Sequence, residues 1–432
     1  MQLTDTASYE GIYGGRWEPG LRTYEGMDFS RVCYLFGGQG TAVPGMFLSA
    51  YQQIEPVRRR FDEADALARA AGLPPPSLYL TGGRAIPASE LIVTRNLATY
   101  TAQVALFDHL LASRSPPQLL TGSSQGEYAA LVCSGAVDFA SLFDVNIAWQ
   151  RICGPANQLG FLLAVAAGPA EIAALLGVDR VHVSIVNSPM RSVIALAPDQ
   201  LAEAQDTLRR RGIGSKVLEV PHPYHSPMMQ PAAERLRAWL EEHGPCFRPP
   251  HFPVLSSASR SVISEGLSSS EAAELLSRQL IEPVDFPRQI EMAYERGCLA
   301  FLEVGPGATL GTFVRKTLGA REHKILDLGT YLPVAPARER PRTKLDALQS
   351  KVFGALRKAV AVMTGYEIES ISVEDRFQED LAIDSLTKVE ILVHVVQEID
   401  PGREDLGDLV GVHRLADVVQ VFSRPPDQER LS

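Results

Sequence analysis

The sequence predicts an α/β protein with a mainly parallel sheet, a small inserted ferredoxin-like unit and a helical C-terminal bundle. Three observations predict it. Short apolar runs alternate with helical spacing over the first 330 residues. One internal stretch keeps a βαββαβ rhythm of its own. After a Pro/Arg-rich stretch the pattern becomes wholly helical. At roughly 150 residues per domain, the 432 residues suggest about three folding units. With 45% hydrophobic and 21% charged residues, a largely disordered chain is excluded.

The elements follow in order. Residues 1–30 form an N-terminal extension without an interpretable motif. Val32–Phe36 is a buried strand that runs into Gly37-Gly38-Gln39-Gly40. Tyr100–Leu111 has helical spacing. Leu119–Leu120 is a short strand, followed by Gly122-Ser-Ser-Gln-Gly126 and the helical Glu127–Cys133. Within the large domain, 31–330, an inserted unit spans about 160–220. Its strands are Leu162–Val165, Val183–Val186, Val193–Leu196 and Val217–Val220, and its helices are Ala170–Leu176 and Asp199–Arg211. Residues 331–343 hold three prolines and three arginines and read as an extended linker. Over 344–424 one apolar stripe joins Leu345, Leu348, Val352, Leu356, Val360 and Met363. A second joins Leu386, Val389, Leu392, Val393 and Val396, and a third Leu415, Val418, Val419 and Phe422. Three helices make a small bundle.

Charge and cysteine use narrow the function. The net charge of −10 argues against nucleic acid as a partner. Lys344 to Ser423 holds eight Lys/Arg against fifteen Asp/Glu, so the bundle is a separate acidic unit. Five scattered cysteines without a C-x-x-C pair point to a reducing, cytoplasmic setting rather than a disulfide framework. The first residues lack a basic and then apolar leader, and no run of 18 apolar residues occurs, so no membrane partner is expected. No H-E-x-x-H, no clustered His/Asp set and no G-x-x-x-x-G-K-[S/T] is present, so neither a metal nor a nucleotide-phosphate loop is expected.

Two serines stand out. In Gly122-Ser-Ser-Gln-Gly126, G-x-S-x-G falls between a strand and a helix. Such a turn lifts the Ser124 hydroxyl clear of the sheet and aims the next N–H at a developing oxyanion. Its base could come from His222 or His225, in the Pro-rich Val220–Met228. The plainer alternative there is two solvated loop histidines. The second serine is Ser385, with Asp384 suited to cap the helix it opens. By itself this is a capping motif, although a helix N-terminus also favours a phosphate.

The ordered motifs resemble the malonyl-CoA:acyl-carrier-protein transacylase family, the acyltransferase domains of fatty acid and polyketide synthases, over about residues 30–325. Phe36-Gly-Gly-Gln-Gly40 resembles the family's F-P-G-Q-G start, and Gly122-Ser-Ser-Gln-Gly-Glu127 its G-H-S-x-G-E elbow. Asn187-Ser-Pro189 resembles N-S-P, His222-Pro-Tyr-His225 resembles H-A-F-H, Arg278-Gln-Leu280 resembles R-Q-L, and Glu303-Val-Gly-Pro-Gly307 resembles E-V-G-P-G. The resemblance implies an α/β-hydrolase-like large domain. It makes Ser124 the acyl-accepting nucleophile and His225 the general base and acid. Backbone N–H groups of Gln39 and Gln125 become the oxyanion hole, and the Gln279 carbonyl the holder of the His225 ring. Ser123, Asn187, His222 and Tyr224 become pocket residues. Residues 344–423 resemble an acyl carrier protein, which implies 4′-phosphopantetheine on Ser385 beside Asp384, attached by a phosphopantetheinyl transferase.

Two positions depart from the family. Ser123 stands where a histidine is usual. The arginine that clamps a free carboxylate in malonyl-type members falls on Trp149, or, with a register slip, its work passes to Arg151. Leaving a buried carboxylate without its cation costs about 3–5 kcal/mol. The expectation is therefore a transferase that takes a non-carboxylated starter-type acyl group from acyl-CoA or an acyl carrier to its own carrier or another. A downstream ketosynthase or other synthase protein would use the product in polyketide or hybrid biosynthesis. The rival expectations are a proofreading acyl-carrier hydrolase and a non-catalytic docking scaffold.

Overall fold

In a computed structural model, the described residues are 23–24, 27–28, 31–39, 45, 47–80, 86–112, 116–154, 159–177, 180–305, 309–332, 345–364, 368, 371–377, 381, 383, 385–403, 409 and 411–423. Most of the N-terminal extension, most of the linker and Asp384 lie outside them, as do the side chains of Ser385 and Leu386.

Strands of the body are β1 (Val32–Phe36), β2 (Leu119–Gly122), β3 (Phe161–Val165), β4 (His182–Ser188), β5 (Arg191–Leu196), β6 (Ser215–Val217), β7 (Val254–Leu255), β8 (Val262–Ile263), β9 (Val284–Asp285), β10 (Ala300–Glu303) and β11 (Lys324–Leu326). Helices that matter for the site are α1 (Glu55–Ala70), α2 (Leu91–Ala112), α3 (Gly126–Cys133), α4 (Phe139–Cys153), α5 (Pro169–Leu176), α6 (Leu201–Arg210), α7 (Gln230–His243), α8 (Ser269–Arg278), α9 (Phe286–Glu295) and α10 (Thr309–Leu318). The bundle adds α11 (Ala347–Thr364), α12 (Ser385–Ile399) and α13 (Leu415–Ser423).

The main sheet has the order β8-β7-β2-β1-β10-β11 and is parallel except for its β7–β8 edge. β1 is fully buried along all five residues, which is why it reads as an unbroken apolar run rather than an alternation. Its two sheet neighbours, β2 and β10, both come from later in the chain and flank it on either side. The carboxyl ends of the three meet at Phe36, Gly122 and Glu303, where an open parallel sheet presents its crevice. α2 is longer than the predicted Tyr100–Leu111 because its flanks are also buried.

The insert has the expected βαββαβ order, with antiparallel neighbours β4-β5-β3-β6. Its last strand lies two residues upstream of the predicted Val217–Val220, because Val220 already belongs to the loop that turns back to the site. β9, from the body, pairs in parallel with β4 and joins insert to body.

The bundle has a core of its own, with Val352, Leu356 and Val360 against Ile391, Leu392, Val395 and Val396. Two predicted stripe positions face outward: Leu348 is 47% and Val393 36% exposed. The buried face of α12 instead takes Ile391 and Val395, so the face lies about one residue round from the predicted one. No described helix is long and apolar enough to cross a membrane.

Candidate active site

Ser124 sits on the turn between β2 and α3. Its φ is 54°, a left-handed value that costs a non-glycine residue about 1–2 kcal/mol. The glycines around it allow the turn to close. A Cβ on Gly126 would lie 2.1 Å from the Phe36 carbonyl oxygen, and one on Gly122 would lie 2.2 Å from the Glu127 nitrogen. Neither obstacle is a side chain that could swing away. Ser123 is buried, and its N–H donates to the Phe36 carbonyl at 2.9 Å, tying the elbow to β1.

His225 arrives from the loop after the insert, also at positive φ (60°). Its backbone N–H donates to the Leu280 carbonyl at 2.8 Å. Ser124 Oγ and His225 Nε2 are 2.7 Å apart. On the far side of the ring, Nδ1 donates to the Glu282 carbonyl at 3.1 Å. The Gln279 carbonyl, the predicted holder, is a second backbone acceptor toward the same ring. The stretch after α8 thus offers two carbonyls, with Glu282 in direct contact. A proton held on Nδ1 leaves the Nε2 lone pair facing the serine hydroxyl. Burial pushes the imidazole pKa down to about 4, against the two carbonyls that favour the charged ring. The ring is therefore neutral, and a base, near pH 7.

Gln39 follows β1 in a turn laid against the elbow. A Cβ on Gly38 there would meet the Ser123 carbonyl oxygen at 2.9 Å and Ser124 Cβ at 3.2 Å. The Gln103 amide of α2 donates to the Gly37 carbonyl at 2.7 Å and fixes this turn. Gln125, at the start of α3, has a locked side chain: its amide donates to Asn146 Oδ1 at 2.8 Å and to the Asn96 carbonyl at 3.2 Å. Its backbone N–H belongs to the first turn of a helix, where such groups lack intrahelical partners and favour negative charge. An oxyanion formed on a carbonyl attacked by Ser124 would meet these two turns.

Next to His225 in the chain, Tyr224 belongs to an aromatic cluster. Trp149 is 4% exposed and meets Tyr224 edge to face at 5.4 Å, and His222 meets Tyr224 at 5.5 Å. His222 is 2% exposed and its Nε2 donates to the Gly154 carbonyl at 3.2 Å, so the solvated-histidine alternative fails. Arg151, two residues beyond Trp149 on α4, points away: its guanidinium donates to the Ala71 carbonyl beyond α1, at 2.7 Å. The register-slip alternative therefore fails too. Asn187 lies half-buried on β4.

Several supporting residues carry no sequence signal of their own. Gln289 of α9 donates to Thr121 Oγ1 at 2.7 Å and to the Gly122 carbonyl at 3.1 Å, bracing the elbow. Glu127 is buried and accepts from the Ser256 hydroxyl, from the Ser257 N–H at 3.0 Å and from the Ser257 hydroxyl at 2.6 Å. It pins α3 to the end of β7. Only Glu127 lay within a motif that could have flagged it. Among the described residues no group of three His, Cys, Asp or Glu could hold a metal ion.

Comparison with known proteins gives the family of this chain. Residues 33–355 match the family described as "Acyl transferase domain". The chain is 31% identical over 307 residues to the malonyl CoA-acyl carrier protein transacylase of Bacillus subtilis (strain 168), covering 66% of this chain and 90% of that one. It is 27% identical over 295 residues to atrochrysone carboxylic acid synthase of Aspergillus chevalieri, but spans only 16% of that synthase. Among solved structures, the malonyl CoA-acyl carrier protein transacylase of Coxiella burnetii superposes with a TM-score of 0.61 at 27% identity, over 69% of this chain and 94% of that one. A malonyl-transacylase solved in complex with a type II acyl-carrier protein gives 0.59 at 25%, over 68% and 94%.

Proposed function

The chain belongs to the acyl transferase domain family, and on that premise we propose that it moves an uncharged, starter-type acyl group from a CoA or carrier thioester, through an ester on Ser124, to a phosphopantetheine thiol. The 2.7 Å contact between Ser124 Oγ and His225 Nε2 carries this reading. In the first half-reaction Ser124 Oγ attacks the thioester carbonyl as its proton passes to His225 Nε2. The N–H groups of Gln39 and Gln125 take the oxyanion; one such donor is typically worth about 10²–10³ in rate. The C–S bond then breaks, and the departing thiolate takes the proton back from His225. In the second half-reaction an acceptor thiol gives its proton to His225 and attacks the ester, and Ser124 Oγ leaves with that proton. Two half-reactions sharing one acyl-enzyme give ping-pong kinetics.

The reading of residues 344–424 as a carrier is supported by a core that, among the described residues, no body residue enters and by a helix that opens at Ser385. A helix start suits a phosphodiester. When bound, 4′-phosphopantetheine supplies a thiol on a flexible arm. A phosphopantetheinyl transferase would install it, and a ketosynthase or other synthase protein would draw on the loaded thiol. The buried Trp149–Tyr224 contact, with no arginine in place of the indole, supports an uncharged acyl group.

The test is intact-mass analysis of the phosphopantetheinylated full chain with a panel of acyl-CoAs. Wild type should gain one acyl group on Ser124 and then on the arm. Ser124→Ala should lose both, and His225→Ala should slow both by about 10³ or more. Acyl groups released as free acid with none on the thiol would establish the hydrolase instead, and unaltered labelling of Ser124→Ala would sink the nucleophile assignment.

A further inference from the structure

The bundle touches the body through polar groups rather than shared apolar packing. Arg191, at the start of β5, is 4% exposed; its Nη1 donates to Thr387 Oγ1 at 2.9 Å and lies 3.5 Å from Glu390 Oε1. Its guanidinium lies over the Phe313 ring at 5.6 Å. Lys316 of α10 reaches the other Glu390 oxygen at 3.4 Å. The Thr312 hydroxyl donates to the Met363 carbonyl of α11 at 3.2 Å. Thr387 and Glu390 occupy the first two turns of α12, the helix that Ser385 opens.

Strand pairing connects this seat to the segment that holds the His225 ring. Arg191 pairs across the β4–β5 hairpin with Ser188, next to Asn187. β4 in turn pairs with β9, which follows Glu282, the residue whose carbonyl holds the His225 ring.

The contact is also built to part. The buried residues of the bundle core, and the partly buried ones packed on them, all fall between 345 and 422. A buried arginine with a partner carboxylate sets orientation strongly but adds little net stability, since both charges lose water. Interfaces of this polar kind between domains behave as transient ones.

We infer that this contact is a reversible docking seat on which the C-terminal bundle presents the Ser385 end of α12 to the catalytic body, so that acyl transfer from Ser124 runs within one chain before the bundle leaves for other partners. The inference rests on the acyltransferase and carrier readings above. A short tether gives a local acceptor concentration of about millimolar order, above a dilute free carrier.

The experiment is single-turnover transfer in the phosphopantetheinylated full chain, reading acyl on Ser124 and acyl on the arm separately. Arg191→Glu and Glu390→Arg should each leave Ser124 loading unchanged and slow transfer to the arm about tenfold or more. The charge-swapped double variant should recover part of the loss. A mixture of Ser124→Ala and Ser385→Ala chains at low micromolar concentration should transfer slowly and in proportion to concentration. Wild-type transfer rates in both single variants, or a mixture as fast as the intact chain, would overturn the seat. Hydrogen exchange supplies an arm free of catalysis: residues 191–196 and 385–399 should exchange faster in Glu390→Arg than in wild type, and equal exchange also overturns the seat. Wild type that takes no acyl group on Ser124 defeats the acyltransferase reading, and exchange then decides the seat alone.

Discussion

Ser124 and His225, 101 residues apart in the chain, both adopt left-handed backbone, and their side chains meet at 2.7 Å. Strain of this kind persists only where surroundings over-determine it. Here Phe36, Leu280 and Glu282 supply the backbone contacts that do so.

The depressed His225 pKa sets a pH signature. On the proposed mechanism the neutral ring is the base, and it exists above about 4. Acylation rate should therefore be flat from pH 6 to 8 and fall only as pH approaches about 4. The same shift affects stability. The unfolded chain binds the proton more readily, so this contribution is complete above the ordinary imidazole value of about 6.5 and is lost as pH falls toward about 4, by about 1.4 kcal/mol per unit. His225→Gln should flatten that part of a chemical-denaturation profile. An acylation limb centred near pH 7 would contradict the assignment.

Glu303 gives the opposite sign. Burial pushes its carboxyl up to about 7, although N–H groups of Leu310 and Gly311 at the start of α10 donate to it. The folded state thus keeps the proton that the unfolded chain releases. Its contribution is complete below the ordinary carboxyl value of about 4.3 and is lost as pH rises through about 7. Glu303→Gln should remove that slope and match or exceed wild-type stability at pH 8. Greater loss at pH 8 than at pH 5 would show that the charged form is the one the fold needs.

Trp149 should govern charge selectivity. Arg151 donates to the Ala71 carbonyl and Trp149 is buried, so on the proposed reading a carboxylated acyl group would meet an indole instead of a cation. Loading of malonyl-CoA should lag that of an uncharged acyl-CoA by about 10² or more, the equivalent of about 3 kcal/mol. Trp149→Arg should narrow the gap from both sides. Efficient malonyl loading by wild type would refute the selectivity argument while leaving the nucleophile untouched.

Gly126→Ala tests the elbow. The added methyl would stand 2.1 Å from a backbone oxygen of β1, and neither strand nor helix can yield cheaply. A loss of about 3 kcal/mol or more is expected, with acylation abolished in any folded fraction. A thermal melt within two or three degrees of wild type would show that the turn is looser than its geometry implies.

Much of the architecture was legible because it rests on local rules. Val32–Phe36 reads as a strand from its unbroken apolar run, and that strand has those bounds. The insert was legible because each strand and helix shows its own period. The faces of the bundle were less so. Val393 fits an apolar stripe yet points outward, since the choice between it and Val395 depends on where α11 lies.

The sequence by itself determined the strand–turn–helix around Ser124, the βαββαβ insert and the acidic helical end, all consequences of neighbouring side chains and backbone sterics. Only the tertiary structure decided that Glu282 touches the His225 ring, that Arg151 turns to Ala71, and that Arg191 receives Thr387 and Glu390. Those contacts join residues far apart in the chain, and no local period encodes which distant surface a side chain will meet.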